Sequence, residues 1–431
     1  MKKQHTLKVD LPSPPPFLMK FRSIKGTKDI LPADVAAWQA VERTVRRVMH
    51  DFHYREIRTP VFEQTALFSR SIGELTDIVS KEMYTFTDRS SDSITLRPEG
   101  TASTLRAYIQ NNLGEASPLT KVYYIGPMFR QERPQAGRLR QFHQFGAEAL
   151  GGQSPALDVE MMLLPLEIYR SLGVEAFSLK INSVGCEKCR PRYKELLKAE
   201  LMKVYGRLSP ESQARVQSNP LRVLDSKEEQ DRAATRGIPL LQDHLCEECK
   251  KHFQGVTQLL DSLQLKHEVD PRLVRGLDYY TKTAFEITST ALGSQDALAG
   301  GGRYDLLVEE LGGKPTFGVG FAAGIERLLM VLEKLEKSFV EPGPALYIVA
   351  LDERSRKWAF TKASEMRKKG IQTEVDYLER SVKAQMRDAN RVSAQYVLVV
   401  GEQELAAGTG KLKNMQSGAE VGVDLNDIRI G

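Results

Sequence analysis

Four arginines and one glutamate crowd a short polar stretch, 129–144, together with aromatic rings and a histidine. Each guanidinium can bond two oxygens of a phosphate or a carboxylate at once, and it can also lie flat against a base. Phe142 offers a further flat surface for stacking. The stretch predicts a binding surface for an anionic ligand that carries a ring, while a charged surface hairpin explains the composition equally well.

A second short motif, Arg97-Pro98-Glu99-Gly100-Thr101, places a carboxylate beside a hydroxyl. That pair is a suitable partner for an ammonium group. Two local interpretations compete with it. Thr101 precedes a helical pattern and can cap that helix, and a lone glutamate such as Glu99 is more often a surface turn residue.

The chain has four cysteines, and all of them fall in two C-x-x-C pairs: Cys186 with Cys189, and Cys246 with Cys249. Each pair can place two thiolates on one metal ion, and tetrahedral Zn²⁺ is the usual partner for this spacing. Disulfides do not persist in a reducing cytosol. The pairs are 56 residues apart, so a structural zinc site requires the fold to bring them together, and four reduced thiols are the alternative.

Strands are predicted on both sides of the arginine-rich stretch. Apolar residues at 122–125 and an apolar alternation from Phe142 onward indicate an antiparallel pair joined by a long loop. Upstream, a helical pattern over 34–52 precedes a strand pattern over 54–63 that Pro60 interrupts, which is typical of a sheet edge or bulge. Further predictions are a hairpin over 83–96, helices over 102–110 and 158–172, and a strand over 177–183.

Length and composition limit the class of protein. The 431 residues predict about three domains. There is no apolar run of the roughly 18 residues that a membrane helix needs and no secretory h-region, so we expect a cytoplasmic protein without membrane attachment. The net charge of +5 permits an anionic partner without requiring one.

The stretch Phe-Arg-x-Glu-Arg-Pro-x-x-Gly-Arg-x-Arg-Gln-Phe-His-Gln over 129–144 resembles motif 2 of the class II aminoacyl-tRNA synthetases, in the form of the histidyl-tRNA synthetase family. Leu273–Thr281 and Ala299–Asp305 resemble the two histidine-specific signatures of that family. Phe317–Leu328 resembles motif 3, and the helix followed by the strand with Pro60 resembles motif 1, which forms the dimer interface in that family.

The resemblance implies an enzyme that activates L-histidine with ATP and Mg²⁺ and transfers it to the 3′ end of tRNA-His, as a homodimer. It implies an α+β fold: an antiparallel-sheet catalytic domain with a helical insertion and a C-terminal α/β anticodon-binding domain. The expected divisions are a disordered extension over 1–20 (with Met19 as an alternative start), catalytic core over 21–184 and 257–338, insertion over 185–256, linker over 339–344 and anticodon-binding domain over 345–431.

The resemblance also implies residue roles. Arg130 and Arg275 are the expected catalytic residues, on the α-phosphate. Histidine is expected to contact Glu99, Gly100, Thr101, Arg130, Gln144, Glu148, Arg275, Tyr279, Tyr280 and Tyr304. ATP is expected to contact Arg130, Glu132, Arg138, Phe142 and Arg327. Arg133 and Gln135 are expected to meet the acceptor end of the tRNA.

Three alternatives differ in class. One is a catalytically inactive paralogue that binds histidine for regulation, which would lack the C-terminal domain. Another is a synthetase of the prolyl, threonyl or glycyl type, against which the run Leu273–Tyr280 argues. The last is a nucleic-acid-binding module without chemistry, which leaves the phosphate-binding arginines unexplained.

Overall fold

The computed structural model describes residues 21–73, 76, 78–135, 137–274, 279–292 and 297–430. The predicted extension 1–20, Met19 and Arg275 lie outside them. The α-helices are α1 (Pro32–Asp51), α2 (Thr65–Ile72), α3 (Thr101–Gln110), α4 (Leu113–Ala116), α5 (Pro155–Ser171), α6 (Arg190–Lys203), α7 (Pro210–Ser218), α8 (Leu221–Leu224), α9 (Glu229–Ala234), α10 (Glu247–Ser262), α11 (Leu307–Glu310), α12 (Ile325–Lys334), α13 (Glu353–Lys368), α14 (Val382–Arg391) and α15 (Glu402–Ala407). Within the described ranges, each helix is too short or too polar to cross a bilayer.

The strands are β1 (Arg55–Glu56), β2 (Phe62–Gln64), β3 (Tyr84–Thr87), β4 (Ser93–Leu96), β5 (Thr120–Phe129), β6 (Gln141–Leu150), β7 (Ser178–Ser183), β8 (Glu268–Val269), β9 (Thr281–Thr288), β10 (Ala297–Arg303), β11 (Gly318–Gly324), β12 (Leu346–Ala350), β13 (Thr373–Val375), β14 (Tyr396–Val400), β15 (Thr409–Asn414) and β16 (Glu420–Asp424). An eight-stranded sheet has the order β1-β5-β6-β11-β10-β9-β7-β8. Its neighbours from β5 to β7 are antiparallel, and the short β1 and β8 lie parallel at the two edges.

The register of this sheet decides which side chains share a face. β5 and β6 pair continuously from Thr120↔Leu150 to Phe129↔Gln141, which is the hairpin expected on either side of the arginine-rich loop. Because successive side chains of a strand alternate between faces, Gln144 and Glu148 lie on the same face of β6. In the next strand, Gly324 pairs with Gln144, and Gly320 pairs with Glu148.

The strand pattern over 54–63 forms two short strands in different sheets. β1 joins the edge of the eight-stranded sheet, whereas β2 joins a three-stranded sheet of order β2-β4-β3. Between them, the guanidinium of Arg97 donates to the carbonyl oxygens of Thr59 (3.0 Å) and Pro127 (2.9 Å). Proline has no N–H to give to a ladder, so strand pairing ends at Pro60 and the chain changes sheet there.

Between β7 and β8 the chain forms α6 to α10, and buried residues from Cys186 to Cys249 form a separate apolar core within this segment. The residues of this core are Cys186, Cys189, Tyr193, Leu197, Leu201, Leu208, Val216, Leu221, Val223, Leu224, Ala234, Ile238, Leu241, Leu245 and Cys249. The buried carboxylate of Asp231 accepts hydrogen bonds from the hydroxyls of Ser209 and Ser212 at 2.8 and 2.6 Å. Such bonds offset the cost of burying a charge.

A second compact unit begins at Phe339. Its five-stranded sheet has the order β13-β12-β14-β15-β16, with the first three strands parallel and the last two antiparallel. Strands and helices alternate from β12 to β14, as an α/β domain requires. α13 starts with a capping box, in which Asp352 accepts from the backbone N–H of Ser355 and the Ser355 hydroxyl accepts from that of Asp352.

Candidate active site

A cavity of about 220 Å³ lies against β6, β10 and β11, under the arginine-rich loop. Its lining includes residues from motif 2, from the motif around Glu99, from both histidine-specific signatures and from motif 3. The predicted residues in its lining are Glu99, Thr101, Arg130, Glu132, Arg138, Phe142, Gln144, Tyr279, Tyr280, Tyr304 and Arg327. Segments that are distant in sequence therefore meet at one site.

Behind one end of the cavity lies the carboxyl group of Glu148, which is completely buried and contacts the lining residues Thr101 and Tyr304. The hydroxyl of Thr101 donates to one of its oxygens at 2.7 Å, and the hydroxyl of Tyr304 donates to the other. Burial raises the pKa of Glu148 to about 8, although the two hydroxyls favour the ionised form and act in the opposite direction. Burial thus keeps this carboxyl protonated up to a higher pH than a solvent-exposed glutamate.

Gly320 leaves the space that this carboxyl occupies. A Cβ atom at this position would lie 1.7 Å from Oε2 of Glu148 and 2.7 Å from the carbonyl oxygen of Ala147. Both distances are far below van der Waals contact, and the backbone oxygen cannot move aside. The glycine in β11 is therefore required by the position of Glu148 on the neighbouring strand.

Two buried polar atoms near Glu148 have no hydrogen-bond partner among the described residues: Oε1 of Gln144 and the hydroxyl oxygen of Tyr124. A buried acceptor without a donor costs free energy, so Gln144 is arranged for a ligand donor. Three tyrosine rings of the same cavity lining pack on one another. The ring centroids of Tyr279 and Tyr280 are 4.7 Å apart, and Tyr304 meets Tyr279 edge-on at 5.7 Å.

Glu99 has a structural role that the sequence did not show. Its carboxylate accepts from the backbone N–H groups of Thr101 (2.6 Å) and Ala102 (2.9 Å), at the start of α3. Burial raises its pKa, and these backbone bonds lower it. The prediction that Thr101 caps this helix is wrong: the hydroxyl of Thr101 bonds to Glu148, and Glu99 supplies the cap.

Arginines line the other end of the cavity. The guanidinium of Arg130 donates to the carbonyl oxygen of Pro98 at 2.9 Å and lies 5.2 Å from the ring centroid of Phe142. Glu132 pairs with Arg138 at 3.3 Å. Arg327 donates to the carbonyl oxygens of Gly137 and Ala297. Burial, and then the positive charge of Arg138, lower its pKa, so this end favours an anion.

Proteins of known activity share this sequence and fold over nearly their full length. The histidine–tRNA ligase of Chloroherpeton thalassium is 51% identical over 414 residues, which cover 95% of this chain and 97% of that protein. That of Halothermothrix orenii is 49% identical over 412 residues, covering 95% and 98%. The crystal structure of apo histidyl-tRNA synthetase from S. aureus matches with a TM-score of 0.81 at 38% identity, over 94% of this chain and 98% of that chain. The histidyl-tRNA synthetase family matches residues 26–328, and the anticodon-binding domain family matches 345–429.

The chain belongs to the histidyl-tRNA synthetase family. The predicted fold class and the predicted enzyme class, a ligase that forms aminoacyl-tRNA, are thereby confirmed. Class II synthetases use ATP with Mg²⁺. Membership excludes the other class II types and the binding module without chemistry. The anticodon-binding domain argues against a regulatory paralogue.

Several predicted residues of the histidyl-tRNA synthetase site lie outside the lining of the cavity. Glu148 is one of them, since it lies behind the hydroxyl groups of Thr101 and Tyr304. Gly100 is buried under Tyr124, with 2.3 Å between its would-be Cβ and that ring. Arg133 and Gln135 are exposed on the loop between β5 and β6. Arg275 lies outside the described residues, so its predicted role remains a proposal.

Sequence reasoning missed Glu326 and His143, which form a contact below the arginines. Glu326 accepts from the backbone N–H of His143 at 2.9 Å and lies 3.0 Å from its ring Nδ1. The ring of Trp38 meets His143 edge-on at 4.9 Å. The acidic residue directly before Arg327 in motif 3 was the available signal, and it was overlooked because one glutamate at a helix start is common.

The fold brings both cysteine pairs together. The Sγ atoms of Cys186, Cys189, Cys246 and Cys249 all lie within 4.8 Å of one another. The cluster is at the base of the helical segment and apart from the cavity, since none of the four cysteines lines it. The arrangement predicted for a shared metal is therefore possible in three dimensions.

Proposed function

We propose that this chain ligates L-histidine to the 3′ end of tRNA-His in two steps, through histidyl-adenylate. The observation that supports this most directly is the asymmetry of the cavity. One end presents hydroxyl and amide groups with a buried carboxyl behind them, and the other end presents arginines beside an aromatic ring. That is the arrangement required to hold an amino acid against a nucleotide.

In the first step, a carboxylate oxygen of histidine attacks the α-phosphorus of ATP and pyrophosphate leaves. Both reactants are anionic, so positioning and neutralisation of charge supply most of the catalysis. Arg130 is proposed to contact the histidine carboxylate and the α-phosphate, because the Pro98 carbonyl oxygen holds its guanidinium at the cavity wall. Arg275 is proposed to approach the α-phosphate from the opposite side.

For ATP, Phe142 is proposed to stack on adenine with Glu132 beside it, while Arg138 and Arg327 contact the outer phosphates. Mg²⁺ neutralises charge on the β- and γ-phosphates when it is bound with ATP. Glu326, next to Arg327, lines the cavity and would offer this ion a carboxylate oxygen, the kind of donor that it prefers. The donor set therefore fits a magnesium–nucleotide complex.

For histidine, a ring N–H is proposed to donate to Glu148, with Tyr280 at the other ring nitrogen and Tyr279 and Tyr304 closing the pocket. The unpartnered Oε1 of Gln144 is proposed to accept from the α-ammonium group, together with Glu99, Gly100 and Thr101. A pocket of this kind rejects side chains that leave its polar groups unpaired, by roughly 10⁴-fold or more.

For tRNA, the exposed side chains of Arg133 and Gln135 are proposed to contact the acceptor end, and residues 345–431 are proposed to bind the anticodon.

We propose that the reaction takes place in the cytoplasm. The proposed division of the chain is the predicted one: extension 1–20, core 21–184 and 257–338, insertion 185–256 and linker 339–344. The separate apolar core of α6 to α9 supports an insertion.

A homodimer is proposed from exposed apolar side chains on the three-stranded sheet. Phe62 on β2 is 52% exposed and Phe86 on β3 is 47% exposed, on the two strands that flank β4. Clusters of large exposed apolar groups mark interfaces. Light scattering coupled to gel filtration should give twice the mass of one chain, and Phe62→Glu should shift it toward one chain.

We also propose a structural Zn²⁺ at the four-cysteine cluster. Thiolates are its preferred ligands, and closed sites with four cysteines stabilise folds. Metal analysis of protein purified without added zinc should find about one zinc for each chain.

Histidine-dependent exchange of pyrophosphate into ATP tests the proposed function. The wild-type protein should exchange with histidine alone among the amino acids. Arg130→Ala and Arg275→Ala should each lower the rate about 10²- to 10³-fold, the usual cost of one electrostatic donor. Arg43→Ala, on the exposed face of α1, is the matched control and should exchange normally. Histidine binding without exchange by the wild-type protein would refute the enzymatic proposal.

A further inference from the structure

Three of the six distances among the four sulfur atoms are close to those around a single tetrahedral ion, and all six are at most 4.8 Å. Sγ of Cys186 lies 3.8 Å from those of Cys189 and Cys246, and Sγ of Cys189 lies 3.9 Å from that of Cys249. Zn–S bonds of about 2.3 Å in a regular tetrahedron place the sulfurs about 3.8 Å apart. A disulfide needs about 2.05 Å, so the cluster is arranged for a metal.

The backbone around the first cysteine pair also fits a metal site. The N–H of Cys186 points to Sγ of Cys189 at 3.2 Å, and the N–H of Lys188 points to Sγ of Cys186 at 3.4 Å. Such bonds stabilise thiolate charge. Gly185 has a φ of +67°, and a Cβ there would lie 2.9 Å from Sγ of Cys189. The turn thus wraps closely around the sulfurs.

This turn, residues 184–190, is bonded directly to the chain that follows the two pocket tyrosines. The N–H of Lys282 donates to the carbonyl oxygen of Gly185 at 2.8 Å, and the N–H of Val184 donates to that of Lys282 at 2.7 Å. The guanidinium of Arg190 donates to the carbonyl oxygens of Val184 and Tyr280. Any shift of the turn therefore moves the backbone at Tyr280, which lines the cavity.

Lys282 itself has a φ of +49°, a left-handed conformation that costs a side-chain-bearing residue about 1 kcal/mol or more. Its surroundings must hold it there. Nζ lies 3.2 Å from Glu248 and 3.4 Å from Asp305. Glu248 stands between the two cysteines of the second pair, so this pair also connects to Lys282. Asp305 directly follows Tyr304, the donor to Glu148.

We infer that the cysteine cluster binds one Zn²⁺ and that this ion positions Tyr280 and Tyr304 of the histidine pocket through Lys282. The inference rests on the proposed function, because it concerns the same histidine pocket. The two cysteine pairs come from the two ends of the helical segment, so the ion joins the start and the end of that segment at the point where it contacts β9. Lys282 and Glu248 are positioning residues in this respect, because they act through Tyr280 and Tyr304.

Metal content and kinetics of the full-length protein test the inference. The protein as purified should contain one zinc and no iron for each chain. Removal of zinc by o-phenanthroline, followed by dialysis, should raise the KM for histidine about tenfold, the range for lost outer support of a site. The KM for ATP should stay the same, and added ZnCl₂ should restore the histidine KM. Absence of zinc, or iron in its place, overturns the assignment of the ion.

A second variant keeps the test decisive if the zinc-free protein unfolds. Glu248→Gln removes the contact to Lys282 but leaves all four thiols, so it should retain one zinc and raise the KM for histidine about threefold, as expected for a partly exposed ion pair. Glu247→Gln is the matched control, because Glu247 is highly exposed and pairs with Lys250. Bound zinc with an unchanged histidine KM in Glu248→Gln overturns the positioning role. Loss of exchange in the wild-type protein itself would instead refute the proposed function.

Discussion

Histidine affinity should increase between pH 7 and pH 8, because the ligand needs an ionised Glu148. The two oxygens of this buried carboxyl already accept from Thr101 of α3 and Tyr304 beyond β10. It can accept a further imidazole N–H well only as a carboxylate. Burial raises its pKa to about 8, and the nearby charge of Glu99 acts in the same direction.

The size of the effect follows from the ionised fraction. A pKa of about 8 leaves about one tenth of the carboxyl ionised at pH 7 and about one half at pH 8. Apparent affinity scales with the competent fraction, so the Kd for histidine should fall about fivefold over this interval. The imidazole of the ligand, with an ordinary pKa of about 6.5, is mostly neutral throughout and adds little.

The same carboxyl should make the ligand-free protein less stable at high pH. Its pKa in the fold lies above the ordinary 4.5, so the folded state binds the proton more tightly than the unfolded state. The stabilisation is complete below about pH 4.5 and is lost as the pH rises through about 8. At about 1.4 kcal/mol for each tenfold difference in proton affinity, the loss is at most about 5 kcal/mol.

Isothermal titration of histidine at half-unit steps from pH 6.5 to 8.5 measures the first effect, and urea unfolding from about pH 4.5 to about pH 8.5 measures the second. Glu148→Gln keeps the size of the side chain and cannot ionise. It should bind histidine weakly, with a pH dependence that reflects only the ligand. A wild-type Kd that is flat or rises between pH 7 and 8 would show that the carboxylate is not the required form.

Three further substitutions give separate tests. Gly320→Ala should abolish histidine binding and leave ATP binding intact, because the new Cβ collides with Glu148. Gly422→Ala is its control, since nothing lies within 4 Å of a Cβ at that position. Retained histidine affinity in Gly320→Ala would contradict the geometry. Gln144→Met should raise the Kd for histidine about tenfold or more by removing an acceptor for a charged group, measured by the same titration. Arg303→Met should lower the free energy of unfolding in urea by about 3–5 kcal/mol. The substitution removes the buried guanidinium that lies 3.2 Å from Asp158 and 3.3 Å from Asp305, and it leaves Asp158 with His252 alone. A loss below about 1 kcal/mol would contradict this.

Local patterns in the sequence predicted the elements that carry the site. Apolar alternation placed the strands on both sides of the arginine-rich loop, and helical spacing placed α1, α3 and α5. These signals are short-range, because the period of a strand or helix is set by the backbone of neighbouring residues. The same locality explains the failure at 54–63, where a single strand pattern is divided between two sheets.

The residue types of the motifs likewise indicated which ligands the site binds. Guanidinium groups at motif 2, the signatures around Tyr280 and Tyr304, and the glycines of motif 3 are enough to indicate the family. Residue type limits what a side chain can bind, so a rare combination of types at fixed spacing is informative by itself. The cap formed by Glu99 and the contact of Glu326 with His143 were missed, because single acidic residues at helix starts are common.

Only the tertiary structure decided which residues act together. Glu148 meets Thr101 and Tyr304 across 47 and 156 residues of chain, and the cysteine pairs meet across 60. Such contacts depend on strand register and on the path of the insertion, which no local pattern encodes. The sequence by itself determined the kinds of chemistry available to this protein. The fold determined the charge state of the site residues and which of them contact one another, because burial and proximity are properties of the packed chain alone.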